Sequence, residues 1–341
     1  MSLQFILGNA GSGKSVTLYQ KLIQESVRNP KKKYMIIVPE QFTLQTQKEL
    51  VSLHPGHSVI NIEVLSFDRL AYRVFDEMGT EVRDVLEDTG KNLVLRRVAQ
   101  EKMEKLSVLR SNMTKPGYIS EMKSLISEFK QYDISIHDFE EIMEDISYPS
   151  FRAKAEDILV MYRGFQEFMK DKYITTEEIL ELLIDVVSDS KLVSDAIMVF
   201  DGFTGFTPIQ NKLLRILMPM VEKIVCTISI DNREDLMSEP YPEELFYMSK
   251  KMAQGLIRIA GETSVPIDDP LVHTMEAPIR FKKDGELLHL EENLFRRTYK
   301  KYHNPNLDEH EIELYRLSNP RMELSFVAAR IQKMIRTGNY H

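Results

Sequence analysis

The sequence predicts an α/β fold built on a parallel sheet and interrupted by a long all-helical stretch. Three observations lead there. Short apolar runs alternate with amphipathic segments near the N-terminus, a glycine-rich loop joins the first strand to the first helix, and strand patterns return after a purely helical interval that runs from about Asp88 to Ser190.

Taken in order, Gln4–Leu7 reads as a short buried strand, Gly8–Ser15 as a loop, and Val16–Ile23 as the start of a helix with apolar residues at helical spacing. Tyr34–Val38 and Val59–Leu65 read as two further strands, preceding "PEQFTLQTQKEL" and "SFDRLAYRVFDEMG". Strands alternating with helices imply a sheet covered on both faces. The helical interval contains Asn92–Leu106, Ile119–Tyr132, Ala153–Lys170 and Thr176–Val187, with no strand pattern between them. Ala196–Phe200 and Ile224–Ile230 then resume the strands, with Ile209–Leu217 as the helix between and another helix near Glu243–Ile259. Lys300–Glu309 is a polar linker or loop, Ile312–Leu317 a strand and Met322–Ile335 a helix. A closing strand with no later partner suggests a domain that continues beyond His341.

Composition narrows the function without choosing it. In 341 residues, 43% apolar content is ample for buried cores, and a formal charge of −8 gives no global basic footprint, so nucleic-acid contact would need a local patch. Cys226 is the single cysteine, which excludes an internal disulfide and a cysteine-held cluster built from this chain, and fits a reducing cytoplasm. No apolar run reaches the ~20 residues of a membrane span. His54 and His57 lie in a Pro/Gly turn with no third ligand type nearby.

Chemistry concentrates at strand ends. "GNAGSGKS" matches G-x-x-x-x-G-K-[ST] in full and lies in the strand–helix context that the motif requires. Gly8, Asn9, Ala10, Gly11, Ser12 and Gly13 would turn backbone N–H groups toward phosphates, Lys14 would reach the β and γ phosphates, and Ser15 would offer a hydroxyl to Mg²⁺. A nucleoside triphosphate, ATP first, is the expected ligand. Such a loop needs an acidic partner at another strand end, and Asp201, closing "AIMVFD", is the segment of the right form; the alternative is an aspartate that caps the next turn. Where a water-positioning glutamate is expected next, the chain has Gly202, and Glu40 and Asp231 are the strand-end acids that could substitute.

Open α/β sheets bind ligands beyond the carboxyl ends of their strands, where Pro39–Thr43 and Ser66–Arg73 fall. Gln41, Thr43 and Ser66 offer hydrogen bonds, Arg69 a charge, and Phe67 and Tyr72 faces for stacking, although Phe67, Leu70 and Val74 also fit a buried helix stripe. Lys31–Lys33 is a basic run that reads as a solvated loop or a DNA contact.

With these residues in place, the chain resembles the AddB (RexB) family, the B subunits of AddAB-type ATP-dependent helicase/nucleases, relatives of superfamily 1 helicases. The resemblance runs essentially end to end and rests on "FILGNAGSGKS", "VPEQFT", "VLSFDRLAYRVF", "VFDGFTGFTPIQ", "APIRF" with "ELLHLEENLF", and "LSNPRMELSFVAARI". It implies a RecA-like P-loop domain over 1–87 and 191–275, an inserted helical domain over 88–190, and the start of a second RecA-like domain over 276–341. The helicase motif Asp-Glu-x-Gln-Asp-Thr-x-x-x-Gln is similar to Asp201–Gln210, with Asp201 and Gln210 kept but Gly202, Thr204 and Gly205 replacing residues that activate water and couple phosphate to movement. Motor activity is therefore expected to be weak or absent, with a partner AddA chain translocating. The resemblance further implies contact with single- and double-stranded DNA in break repair, scanning of the unwound strand for the hotspot sequence Chi by Gln41, Thr43, Phe67, Arg69, Tyr72 and Phe203, and Arg280 near the γ-phosphate. A nuclease domain and the cysteines of an iron–sulfur cluster are expected beyond His341. The rival readings are a P-loop kinase or small-molecule phosphotransferase, and a structural subunit with a relic nucleotide site.

Overall fold

A computed structural model describes residues 1–57, 61–274, 279–294, 300–303 and 310–338. In chain order the elements are β1 (Leu3–Gly8), α1 (Lys14–Arg28), β2 (Tyr34–Ile37), α2 (Thr43–Leu53), β3 (Ile62–Leu65), α3 (Phe67–Met78) and β4 (Asp84–Leu86). There follow α4 (Asp88–Glu101), α5 (Pro116–Gln131), α6 (Ile136–Glu144), α7 (Pro149–Met169), β5 (Tyr173–Thr175), α8 (Glu178–Val186), β6 (Ile197–Phe200) and α9 (Pro208–Leu217). The remainder is β7 (Lys223–Ser229), α10 (Tyr247–Glu262), β8 (Leu271–His273), α11 (Glu286–Asn293) and α12 (Pro320–Thr337).

Six strands form one sheet in the order β3-β2-β6-β7-β1-β8, and every pairing is parallel. Its strands are apolar at nearly every position because both faces are covered. The period of two sorts them: Leu3, Phe5, Met35, Ile37, Met198, Phe200, Ile224 and Cys226 face a core shared with Leu70, Leu183, Leu213 and Leu256 of α3, α8, α9 and α10. Ile6, Tyr34, Ile36, Val38, Ile197, Val199 and Val225 face the other way, onto Leu18 and Leu22 of α1 and Leu50 of α2. The carboxyl ends of all six strands therefore share one edge, to which α1 presents its N-terminus.

A separate core belongs to the helical interval, where Leu95 and Val98 of α4, Met122 and Ile126 of α5, Phe139 of α6 and Phe165 of α7 pack together. Phe129 centres it, with ring centroids 4.9 Å from Phe139 and 5.5 Å from Tyr162. The expectation of no strand in this interval is corrected by β5, which pairs with β4 in a two-stranded parallel sheet. Three residues are too few to display an alternation, and the partner lies just outside the interval.

The chain divides into two compact units, Met1–Glu276 and Ala277–His341. In the second, the helix expected over Met322–Ile335 is α12, but the strand expected over Ile312–Leu317 is irregular chain. Among the described residues its apolar alternation has no neighbouring strand to complete a ladder, and Leu314 is 97% exposed. Tyr315 instead stacks on Phe326 of α12, and Glu313 accepts a hydrogen bond from Arg330 at 2.7 Å. Of the other expectations, the strand from Val59 begins at Ile62 among the described residues, and most of Lys300–Glu309 lies outside them. The helix near Glu243 begins at Tyr247.

One buried ion pair ties α4 to the β5–α8 junction. Lys91 donates to Glu177 at 2.8 and 2.9 Å and to Thr176 at 3.2 Å, and the Lys91 side chain is 3% exposed. Burial alone would push the Glu177 carboxyl up, but the hydrogen bonds and charge of Lys91 outweigh it and hold the group below its ordinary value. A carboxylate lowered on folding stabilises the fold above its unfolded pKa, near 4.5, and that contribution is lost as pH falls through the lower folded value. Lys91→Ala, which strands a buried charge, should cost about 3–5 kcal/mol by urea unfolding at neutral pH. The difference from the unaltered chain should shrink below pH 4.5; a pH-independent difference would show that Glu177 is not the group involved.

Candidate functional site

The site begins where β1 ends. Gly13 caps α1 in a left-handed conformation, φ 94°, which an L side chain resists, and no side chain caps the helix. Of the other helices that follow strands of this sheet, α2 also lacks a side-chain cap, whereas α3 is capped by Ser66 and α9 by a Thr207–Gln210 capping box. An uncapped helix N-terminus on the ligand edge of a parallel sheet is an anion site in waiting. Lys14 folds back over the loop, its Nζ donating to the carbonyls of Gly8 at 2.7 Å and Asn9 at 2.8 Å, and is buried there. Ser12 Oγ is buried without a hydrogen-bond partner in the loop. An enclosed hydroxyl of this kind is costly unless something supplies an acceptor, as a phosphate oxygen would.

Across the strand edge, Asp201 follows β6. Strand β7 separates β6 from β1, and its Thr227 donates to Asp201 Oδ1 at 2.5 Å. Ser15 of α1 donates to the same oxygen at 3.1 Å, and Tyr19, one turn further on, to Oδ2 at 2.5 Å. Burial first, and then the Asp201 charge, drive the Tyr19 phenol well above its ordinary range, so Tyr19 stays a donor. The structure thus joins Ser15 to Asp201 as the sequence pattern pairs them. Tyr19 and Thr227 are additions that the motif does not announce, although Tyr19 lies four residues after Ser15 on the same helix face.

Gly202 adopts φ 79°, so a glutamate there would be strained as well as absent. Neither proposed substitute stands ready. Asp231, 1% exposed, is held by Arg233 at 2.9 and 2.5 Å and by Asn9 at 3.3 Å. Glu40 accepts from Arg69 at 3.2 Å. Gln210, kept from the helicase pattern, accepts from the Thr207 backbone N–H at 3.0 Å as a cap. Arg280 lies in the second unit.

The strand-end segments adjoin because β3, β2 and β6 are neighbours in the sheet. Gln41, Arg69 and Tyr72 are exposed and Phe203 is half-buried. Phe67 is the correction: it is 6% exposed, and its ring packs on Phe200, Phe203 and Phe206 with centroids 5.6–6.2 Å away, so it offers no face to a base. Thr43 is buried as well, its hydroxyl donating to the Glu40 carbonyl at 2.9 Å. Phe42, 41% exposed beside Gly202, is an aromatic that the sequence pattern does not single out. In the basic run, Lys32 pairs with Glu222 at 2.5 Å, while Lys33 donates to the Lys191 carbonyl at 2.7 Å and keeps its charge.

Among the described residues, no group of three or more His, Cys, Asp and Glu is placed to hold a metal, and no helix is long and apolar enough to cross a membrane. A parallel sheet whose first strand runs through a glycine loop into α1, with an acid at the end of β6 on the same edge, defines an α/β protein of the open parallel-sheet type. Residues 5–291 match the family described as "ADDB, N-terminal", and the chain belongs to that family. It is 41% identical over its whole length to the B subunit of the ATP-dependent helicase/deoxyribonuclease of Lachnoclostridium phytofermentans, covering 30% of that protein. It is 31% identical to the proteins of the same name from Caldanaerobacter subterraneus, over 98% of this chain, and Clostridium tetani, over 100%, covering 28% and 30% of them. The chain thus spans under a third of the length of these relatives.

The triple hydroxyl cradle gives a direct test. Tyr19→Phe removes one charge-assisted hydrogen bond to a buried carboxylate and should destabilise the chain by about 1.5–3 kcal/mol in urea melts. No change in midpoint would mean that Tyr19 does not help to hold Asp201.

Proposed function

We propose that this chain binds Mg²⁺-ATP on the loop Gly8–Ser15 and is the N-terminal, RecA-like region of an AddB-type helicase/nuclease protein that works beside an AddA-type partner in DNA break repair. One observation carries the nucleotide reading: Lys14, the orphaned Ser12 hydroxyl and the uncapped end of α1 meet at the strand edge where Ser15 and Asp201 are hydrogen-bonded. Loop N–H groups and Lys14 would hold the phosphates. Ser15 and Asp201 would hold Mg²⁺, the aspartate through water, and the bound ion would offset negative charge on the β and γ phosphates. Hydrolysis is expected to be slow, because Gly202 supplies no base and Glu40 and Asp231 are engaged elsewhere. An arginine from a second domain is worth about 10³–10⁵ in rate, and Arg280 is the candidate here.

The strand-facing surface consists of Gln41, Arg69, Tyr72 and Phe203, without Phe67. In the complete protein it would track the unwound single strand and read Chi, with double-stranded DNA, the nuclease and the iron–sulfur cluster handled by other parts. A cytoplasmic setting accords with the buried lone thiol of Cys226.

Two experiments test this reading. Calorimetry should show Mg-ATP binding that Lys14→Ala abolishes, while phosphate release stays slow in excess single-stranded DNA; no binding by the unaltered chain would favour a relic site, and brisk turnover would overturn the weak-motor reading. In fluorescence anisotropy on single-stranded DNA, Tyr72→Ala should lose about 1–3 kcal/mol. Glu40→Gln, by freeing Arg69, should strengthen binding roughly twofold to fivefold. Unchanged binding in both variants would remove this surface from the account.

A further inference from the structure

The metal side of the loop is fixed by Asp201, which is reached from β1 across β7. On the opposite flank β1 pairs with β8, a three-residue strand that the sequence does not announce, and Gly8 lies in register with His273. Both positions belong to the face covered by α1, since Ile6 and Leu271, two residues earlier on each strand, pack into the core beneath that helix. The approach is close. A Cβ on Gly8 would lie 2.7 Å from the His273 carbonyl oxygen, 2.7 Å from the orphaned Ser12 Oγ and 3.1 Å from the His273 Cβ. Half-buried against the loop, the imidazole has no hydrogen-bond partner among the described residues.

We propose that His273 closes the phosphate loop on the side away from Asp201 and contacts the bound nucleotide at the sugar-proximal end of its phosphate chain. This deepens the nucleotide-binding reading above and rests on it. Mg²⁺ sits between the β and γ phosphates, so the terminal phosphates lie toward Asp201 and the chain runs back across the loop toward β8. His273 is the side chain waiting at that end.

The charges around the imidazole give the contact a signature. Burial first, then Lys21 and Lys14 of α1, hold the free imidazole below its ordinary value, so it is neutral at neutral pH. A seated polyphosphate offsets both lysines and adds negative charge beside the ring, which favours the imidazolium. Binding therefore takes up a proton at a pH between the free and bound values, and affinity rises as pH falls through that window.

The test is calorimetry of Mg-ATP and Mg-ADP at about pH 6, in two buffers of different ionisation heat, on the unaltered chain, His273→Gln and Lys14→Ala. Thermal unfolding checks that each variant is folded. The unaltered chain should take up a fraction of a proton, at most about one, with either nucleotide. His273→Gln should lose that uptake and bind roughly threefold to tenfold more weakly at about pH 6, with the gap narrowing at about pH 8. Equal uptake in the unaltered chain and His273→Gln would overturn the inference while leaving the nucleotide site standing. Uptake with ATP but not ADP would move the contact to the terminal phosphate and overturn the assignment to the sugar-proximal end. Lack of Mg-ATP binding by the unaltered chain would overturn the nucleotide reading itself, and this inference with it.

Discussion

Asp201 is a carboxylate 6% exposed at the end of a strand whose four residues are all buried, and a charge in that position persists only if hydrogen bonds replace the water it has lost. Three hydroxyls replace it, two from α1 and one from β7. Those bonds do more than satisfy the carboxylate. They set α1 in register with the central strands, which fixes where the loop Gly8–Ser15 opens and where Lys14 can lie. The glycine loop alone would make a helix N-terminus attractive to anions; on the proposed reading, the caged aspartate would add a metal-binding side to it.

The same strand end reaches the second surface. Beyond Asp201 the chain turns through Gly202 in a left-handed conformation and enters Phe203, which packs on Phe67 at the start of α3. Phe200 and Phe206 complete this aromatic block. The end of β6 and the start of α3 are therefore joined by packed rings rather than by a polar loop. The turn that makes this possible occupies the position where a hydrolytic glutamate would stand.

Much of this was legible in the sequence because the relevant signals are local. The loop motif, the apolar strands and Asp201 at the end of β6 are each written in a few consecutive residues. What escaped depends on partners distant in the chain. Strands β5 and β8 are three residues long and exist through pairing with β4 and β1, so neither carries a pattern of its own. Thr227 reads as one more β-branched residue of a buried strand, and nothing local shows that it faces Asp201. Phe67 failed in the opposite sense: an aromatic at a helix start fits a stacking platform and a core stripe equally well, and burial against β6 decided for the core. The strand expected at Ile312–Leu317 had the right alternation and, among the described residues, no strand to pair with.

The central claim, that one strand edge holds a triphosphate and its metal between the loop and Asp201, is tested most directly by a crystal structure of the chain with Mg²⁺ and a non-hydrolysable ATP analogue. The account predicts phosphate density along Gly8–Ser15, with Lys14 Nζ moved from the Gly8 and Asn9 carbonyls to a phosphate oxygen. It also predicts a metal bound by Ser15 Oγ and linked through water to Asp201. Lys14 still bonded to those carbonyls with the analogue bound elsewhere, or a metal held away from Ser15 and Asp201, would contradict it.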